Sequence, residues 1–313
     1  QLVEGAQPGE KVSPSPVRNL ALGLVAGLFL GGLAAFIREA MDRVVRSPDL
    51  LNQQTGTPLL GILPELAIDS QSSYRPFRRS EISLIEAAQW MPFREALDLI
   101  YKNIQLQSPT LKSLVITSAL PQEGKTTFAF GLALSAARLH QRVLLIDADL
   151  RRPTLHDRLQ IPNDPGLTVA LEGAPPRPQK LAISGTSIDV LPAGRKPVDP
   201  VKLLSSRRMR DLMTQFGNQY DLVLVDTPPV IGIVDAIEVA SCCQGAVLVG
   251  RLDRITQTEL AQATAALRQL NVLGIVANGS RRYPKPYLEA IDHNGHNGHN
   301  GQVSGASIPP SRR

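Results

Sequence analysis

Residues 118–127 read SALPQEGKTT, between the apolar run SLVITS (113–118) and a stretch rich in small residues that starts at 125. Glycine, lysine and two threonines at the junction of a strand and a helix admit few folds. Gly124 lets the backbone turn so that successive N–H groups face one point. A helix beginning there aims the positive end of its dipole at the same point. An anion is the natural occupant, and the residue order suits a nucleotide. Lys125 places a cation between the β- and γ-phosphates, Thr126 offers a hydroxyl to Mg²⁺, and Thr127 reaches the α-phosphate. Gln122 and Glu123 complete the binding end of the loop. The glycine that usually opens such loops is absent, with Ala119 in its place.

The surrounding pattern is α/β. Apolar runs at 113–118, 142–148, 187–191, 221–226, 245–250 and 272–277 read as strands. Helical stretches are expected near 92–106, 125–140, 200–217 and 254–270. Nearly continuous apolar strands separated by helices indicate a mostly parallel sheet covered on both faces, the P-loop NTPase architecture. Two of the strands end in acid: VLLIDADL (143–150) brings Asp147 and Asp149 to one side, and DLVLVDTPP (221–229) ends on Asp226. Carboxylates at the C-terminal ends of parallel strands border the crevice where ligands bind. One such aspartate is as easily a helix cap. Three beside Gly-Lys-Thr indicate a site for a Mg²⁺-bound nucleotide.

Composition limits the rest. The net charge of +5 is spread along the chain rather than gathered in one run, which speaks against nucleic acid. Cys242 and Cys243 are adjacent and form neither a disulfide framework nor a metal pattern. Asn19 to Ile37 is a 19-residue run without a charge, roughly 28 Å as a helix and close to the hydrocarbon thickness of a bilayer. Arg38, Arg43 and Arg46 follow it, placing the C-terminal side in the cytoplasm and the helix in membrane lipid. Glycines at 23, 27 and 31 suit close helix packing, and glycine is also simply common in membrane helices. The expected organisation is a proline-rich extracytoplasmic lead-in (1–18), a transmembrane helix (19–37), a juxtamembrane segment and linker (38–91), a nucleotide-binding domain (92–282) and a low-complexity tail (283–313). The tail contains HNGHNGHNG, which cannot build a core. The first residue is Gln1, so the sequence reads as part of a longer protein.

SALPQEGKTT, VLLIDADLRRP and YDLVLVDTPPV resemble the Walker A, A′ and B motifs of the bacterial tyrosine kinases. LPAG (191–194), PVKLLSSRRM (200–209) and GIVANG (274–279) resemble the same family. KVSPSPVRN, REAMDR and TPLLGILP resemble the end of a polysaccharide co-polymerase, or chain-length determinant. The resemblance implies transfer of the ATP γ-phosphoryl group to tyrosine in a homo-oligomer working with polysaccharide polymerase and export machinery, with a tyrosine phosphatase as a further partner. It implies that the membrane helix crosses a bacterial inner membrane, that Lys125 and Thr126 hold phosphate and Mg²⁺, that Asp147 and Asp226 support the metal, that Asp149 orients or accepts the tyrosyl proton, and that Asn278 contacts adenine. Tyr283 and Tyr287 are the acceptor candidates near the C-terminus.

The chain departs from that pattern twice. The family carries Glu-x-x-Arg-x-x-Arg, used in self-association, where this chain reads Glu95, Asp98 and Tyr101. The usual C-terminal tyrosine cluster is reduced to Tyr283 and Tyr287. Both departures fit an alternative, a nucleotide-binding scaffold of polysaccharide export with little kinase activity. Partitioning and septum-placement ATPases of the same fold carry a lysine early in the loop, where this chain has Leu120.

Overall fold

The computed structural model describes residues 16–41, 44–66 and 83–281. The chain divides into two compact units, 1–43 and 44–313. The first holds helix α1 (Pro16–Met41), whose described side chains, 17–33, are exposed. Among the described residues no helix is long and apolar enough to cross a membrane. Residues 34–37 of the apolar run lie beyond the described side chains, and Tyr283, Tyr287 and the histidine repeat lie outside the described residues altogether.

The described strands of the second unit are β1 (Leu59–Pro64), β2 (Ser113–Ser118), β3 (Val143–Asp147), β4 (Gln179–Ile183), β5 (Thr186–Leu191), β6 (Leu222–Asp226), β7 (Gly245–Arg251) and β8 (Val272–Ser280). They form one sheet in the order β1-β8-β7-β2-β6-β3-β5-β4. Every neighbouring pair is parallel except β4 and β5. All six residues of β2 are buried because helices cover both faces. Leu114 and Ile116 pack on one side with Phe93 and Leu97 of α4 (Met91–Gln107) and Phe128 and Leu132 of α5 (Lys125–Arg138). Val115 packs on the other with Leu212 and Phe216 of α9 (Arg207–Gln219). Each large apolar side chain buried in this way stabilises the fold by about 1.5–3 kcal/mol.

Six strands lie where the apolar runs placed them, and two more were not expected. β4 alternates partly exposed with exposed positions and shows no continuous apolar run. It is held by its hairpin with β5, whose turn residues Ser184 and Gly185 both have positive φ, as the tightest hairpins require. β1 comes from TPLLGILP, inside the segment expected to be juxtamembrane or linker, and pairs in parallel with β8. Gly274 on β8 permits this approach, since a Cβ there would stand 2.5 Å from Cγ of Leu60, and Gly61 lets α4 lie against β1, where a Cβ would stand 2.5 Å from Cγ1 of Ile100. The helix expected over 200–217 is two helices, α8 (Pro200–Leu204) and α9. Asp199 caps the first, accepting from the Lys202 N–H at 3.0 Å, and Ser206 caps the second, accepting from the Met209 N–H at 3.2 Å. A serine that caps a new helix ends the old one.

Candidate active site

The strand order places β2 between β7 and β6, with β3 beyond β6. The three motif loops therefore open side by side at the C-terminal edge of the sheet. Ala119, where the opening glycine is missing, is fully buried in an apolar cluster with Val230, Leu248 and Ala277. Its methyl group fills the core at a point that the phosphate-binding end of the loop does not use.

At that end, Gln122 (φ 64°) and Gly124 (φ 92°) are both left-handed, which turns the intervening N–H groups inward. A Cβ on Gly124 would lie 2.1 Å from Nδ2 of Asn278. That amide donates to the Glu123 carbonyl at 2.7 Å. Asn278, expected at adenine, thus braces the loop. Gly124→Ala should combine backbone strain of about 1–3 kcal/mol with this collision. We expect at least a tenfold loss of nucleotide affinity by calorimetric titration, with unchanged far-UV circular dichroism. Parent-like affinity would show that the loop tolerates another conformation.

Glu123 also faces inward. Its side chain is fully buried, with one carboxylate oxygen accepting from the Leu120 N–H (2.7 Å) and the other from the Arg251 N–H (3.2 Å). Burial pushes its pKa up to about 7, against the lowering effect of those bonds. Its part in the site is to shape the loop, since both oxygens are occupied within the protein.

Asp147 and Asp226 lie directly opposite one another on β3 and β6. Asp147 accepts from the N–H groups of Asp149 (3.1 Å) and Leu155 (3.2 Å). Asp226 is hydrogen-bonded by Thr126, while its Oδ1 is buried without any partner. Burial, and then the neighbouring carboxylate charge, push Asp147 up; burial is also the main cause raising Asp226, opposed by Lys125 and Thr126. An orphaned carboxylate oxygen, two facing acids and a threonine hydroxyl fit Mg²⁺. Among the described residues no cluster of three or more metal-ligating side chains occurs. Mg²⁺ does not need one, because it keeps waters and takes phosphate oxygens beside one or two carboxylates. Asp149 stands 3.9 Å from Nζ of Lys125. Burial raises its pKa and the Lys125 charge opposes the rise.

Two further groups at the site were missed in the sequence. Arg158, on the short helix α6 (Leu155–Leu159), donates to the Thr127 hydroxyl at 3.1 Å and feels the charge of Asp226. Arg151 makes a two-point ion pair (2.7 and 2.9 Å) with the fully buried Asp235. This ties the loop carrying Asp149 to α10 (Asp235–Ala240).

A protein-family model described as ParA, NUBPL iron-transfer P-loop NTPase, matches residues 111–297. Tyrosine-protein kinase YwqD of Bacillus subtilis is 38% identical over 174 residues, covering 55% of this chain and 73% of YwqD. The chain belongs to the bacterial tyrosine-kinase family. The solved kinase domain of Escherichia coli tyrosine kinase ETK superposes on this family member with a TM-score of 0.66 at 30% identity, covering 75% of this chain and 94% of that one. Tyrosine-protein kinase ptk of Acinetobacter johnsonii is 27% identical over 288 residues, 87% of this chain and 37% of its own length. The chain spans 37–38% of the length of the relatives matched over 288 residues.

In this family member, helix α4 carries Asp98 and Tyr101. Asp98 accepts from the Arg138 guanidinium at 2.6 Å and from the Ser135 hydroxyl, both on α5. Tyr101 is buried and accepts from Gln105 at 3.0 Å. Both positions, arginine in the resembling pattern, are engaged within their own domain.

Proposed function

We propose that the chain is the kinase-bearing part of a membrane-anchored tyrosine autokinase that regulates polymerisation and export of an exopolysaccharide. The observation that carries the nucleotide chemistry is the buried Asp147–Asp226 pair, with its orphaned oxygen, beside Lys125 and Thr126. The uncharged run 19–37 with its flanking arginines supports the anchor in the inner membrane.

Loop N–H groups and Lys125 bind the phosphate oxygens and hold the γ-phosphoryl group in place. Thr126, Asp147 and Asp226 would hold Mg²⁺, which when bound neutralises phosphate charge and steadies the leaving group. A tyrosine hydroxyl, neutral at pH 7 with its usual pKa near 10, must lose a proton as it attacks. Asp149 is the base: burial raises its pKa and makes it a better acceptor, and the Lys125 charge opposes that rise. The phenolic oxygen bonds to the γ-phosphorus, the bond to the β–γ bridging oxygen breaks, the proton goes to Asp149, and ADP leaves.

A second reading, a nucleotide-binding regulatory scaffold, is favoured by the inward engagement of Asp98 and Tyr101. Incubation of the full chain with Mg-ATP followed by phosphotyrosine mapping separates the two. We expect label on Tyr283 or Tyr287, and loss of most of it in the double variant Tyr283→Phe/Tyr287→Phe. A folded, ATP-binding chain without phosphotyrosine would leave the scaffold.

A further inference from the structure

Glu123 is held at two points, and only one lies within the phosphate loop. The other is the backbone N–H of Arg251, the last residue of β7. The side chain of Arg251 meets Glu65, Nη2 to Oε1 at 3.8 Å. The other oxygen of Glu65 accepts from Nε of Arg281 at 3.0 Å. The Glu65 N–H donates to the Ser280 carbonyl at 3.0 Å. Glu65 directly follows the edge strand β1, and Arg281 directly follows β8. Asn278, which braces the Glu123 carbonyl, is on β8 three residues before Arg281.

Resting on the nucleotide-binding reading above, we propose that Glu65 is a positioning residue for the phosphate loop, acting through Arg251 and Glu123. The carboxylate holds two guanidinium groups that would otherwise repel each other at the ends of β7 and β8. It thereby fixes the Arg251 peptide whose N–H sets the orientation of Glu123. Because linkage is reciprocal, nucleotide in the loop favours the closed Glu65–Arg251–Arg281 cluster, and opening the cluster weakens nucleotide binding by the same factor. The tail bearing Tyr283 and Tyr287 begins two residues after Arg281 in the sequence. The phosphate loop is thus coupled to the point from which that tail departs.

The test is a double-variant cycle on Mg-ATP affinity, measured by calorimetric titration on the full chain. Glu65→Gln keeps the shape and removes the charge; it should weaken binding about three- to tenfold. Glu123→Gln should weaken it by about tenfold or more. If both act through the Arg251 N–H, the double variant should lose no more than twice what Glu123→Gln loses alone. ATP turnover by Glu65→Gln should show a raised KM with kcat within twofold of the parent, a split that general destabilisation would not give. Parent-like affinity in Glu65→Gln, or fully multiplicative losses in the double variant, would overturn the inference and leave the nucleotide site standing. A parent chain that binds no nucleotide would overturn both.

Discussion

Lys125→Met is expected to lower phosphoryl transfer to tyrosine by about 10³-fold while leaving the fold intact. The lysine side chain is mostly shielded from solvent, where a cation on the transferring phosphates counts for far more than in water. Removing one donor aimed at developing charge costs about 10²–10³ in rate, and a cation worth somewhat more raises the figure. The charge of Lys125 also opposes the upward shift of Asp149 and Asp226. Methionine keeps the length of the side chain and removes the charge, so Asp149 would hold its proton to higher pH. The rate–pH profile should therefore shift upward as well as fall, read by phosphotyrosine formation against time from pH 6 to 9. An active variant, or a profile of unchanged position, would place the base elsewhere.

Asp226→Asn should act in opposite directions on stability and on function. Asp147 and Asp226 face each other in the interior, and both are raised above the unfolded aspartate value. A raised acid holds its proton more tightly folded than unfolded. Stability is thus fullest below the unfolded pKa of about 4 and declines as pH rises through the folded values. Without nucleotide the domain should melt lower at pH 8 than at pH 6. Each pKa unit corresponds to about 1.4 kcal/mol, or a few degrees in Tm for a domain of this size. Asn removes the like-charge contact, so the variant should melt at least about 3 °C higher at pH 8 and show a flatter dependence on pH. The same variant should lose the gain in Tm that Mg-ATP confers on the parent, because the orphaned Oδ1 is no longer an anion. A lower Tm for the variant at pH 8 would show that packing, rather than charge, dominates at this pair.

The placing of the acidic residues at one edge of the sheet was legible in the sequence because polar residues and strand ends coincide there. A buried parallel strand is a solid apolar run, so an aspartate ending it stands out, and Asp147 and Asp226 needed no further signal. Arg158 gave none: its helix is five residues long, and an arginine in a polar stretch looks like any solvated charge. Asp235 was hidden for a related reason, since its partner Arg151 lies 84 residues away. Glu123 and Asn278 were picked out as part of the site, yet the direction of each side chain is set by long-range contacts with β7 and β8 that no local pattern encodes. The edge strand β4 failed for want of apolar continuity. β1 is a six-residue apolar run, which went unread as a strand because it stands alone in a segment that reads as linker, far in sequence from its partner β8.

The parallel pairing of β1 with β8 bears on where this domain can be cut. Leu60 and Leu63 are fully buried and belong to the main apolar cluster. A fragment starting at Ser83, just before α3 (Leu84–Gln89), would keep every motif of the candidate site. It would nonetheless open a cavity beneath α4 and leave β8 with a bare row of backbone donors and acceptors, the kind of sheet edge on which chains aggregate. The workable boundary for an isolated domain therefore lies upstream of Val44, where the compact unit begins.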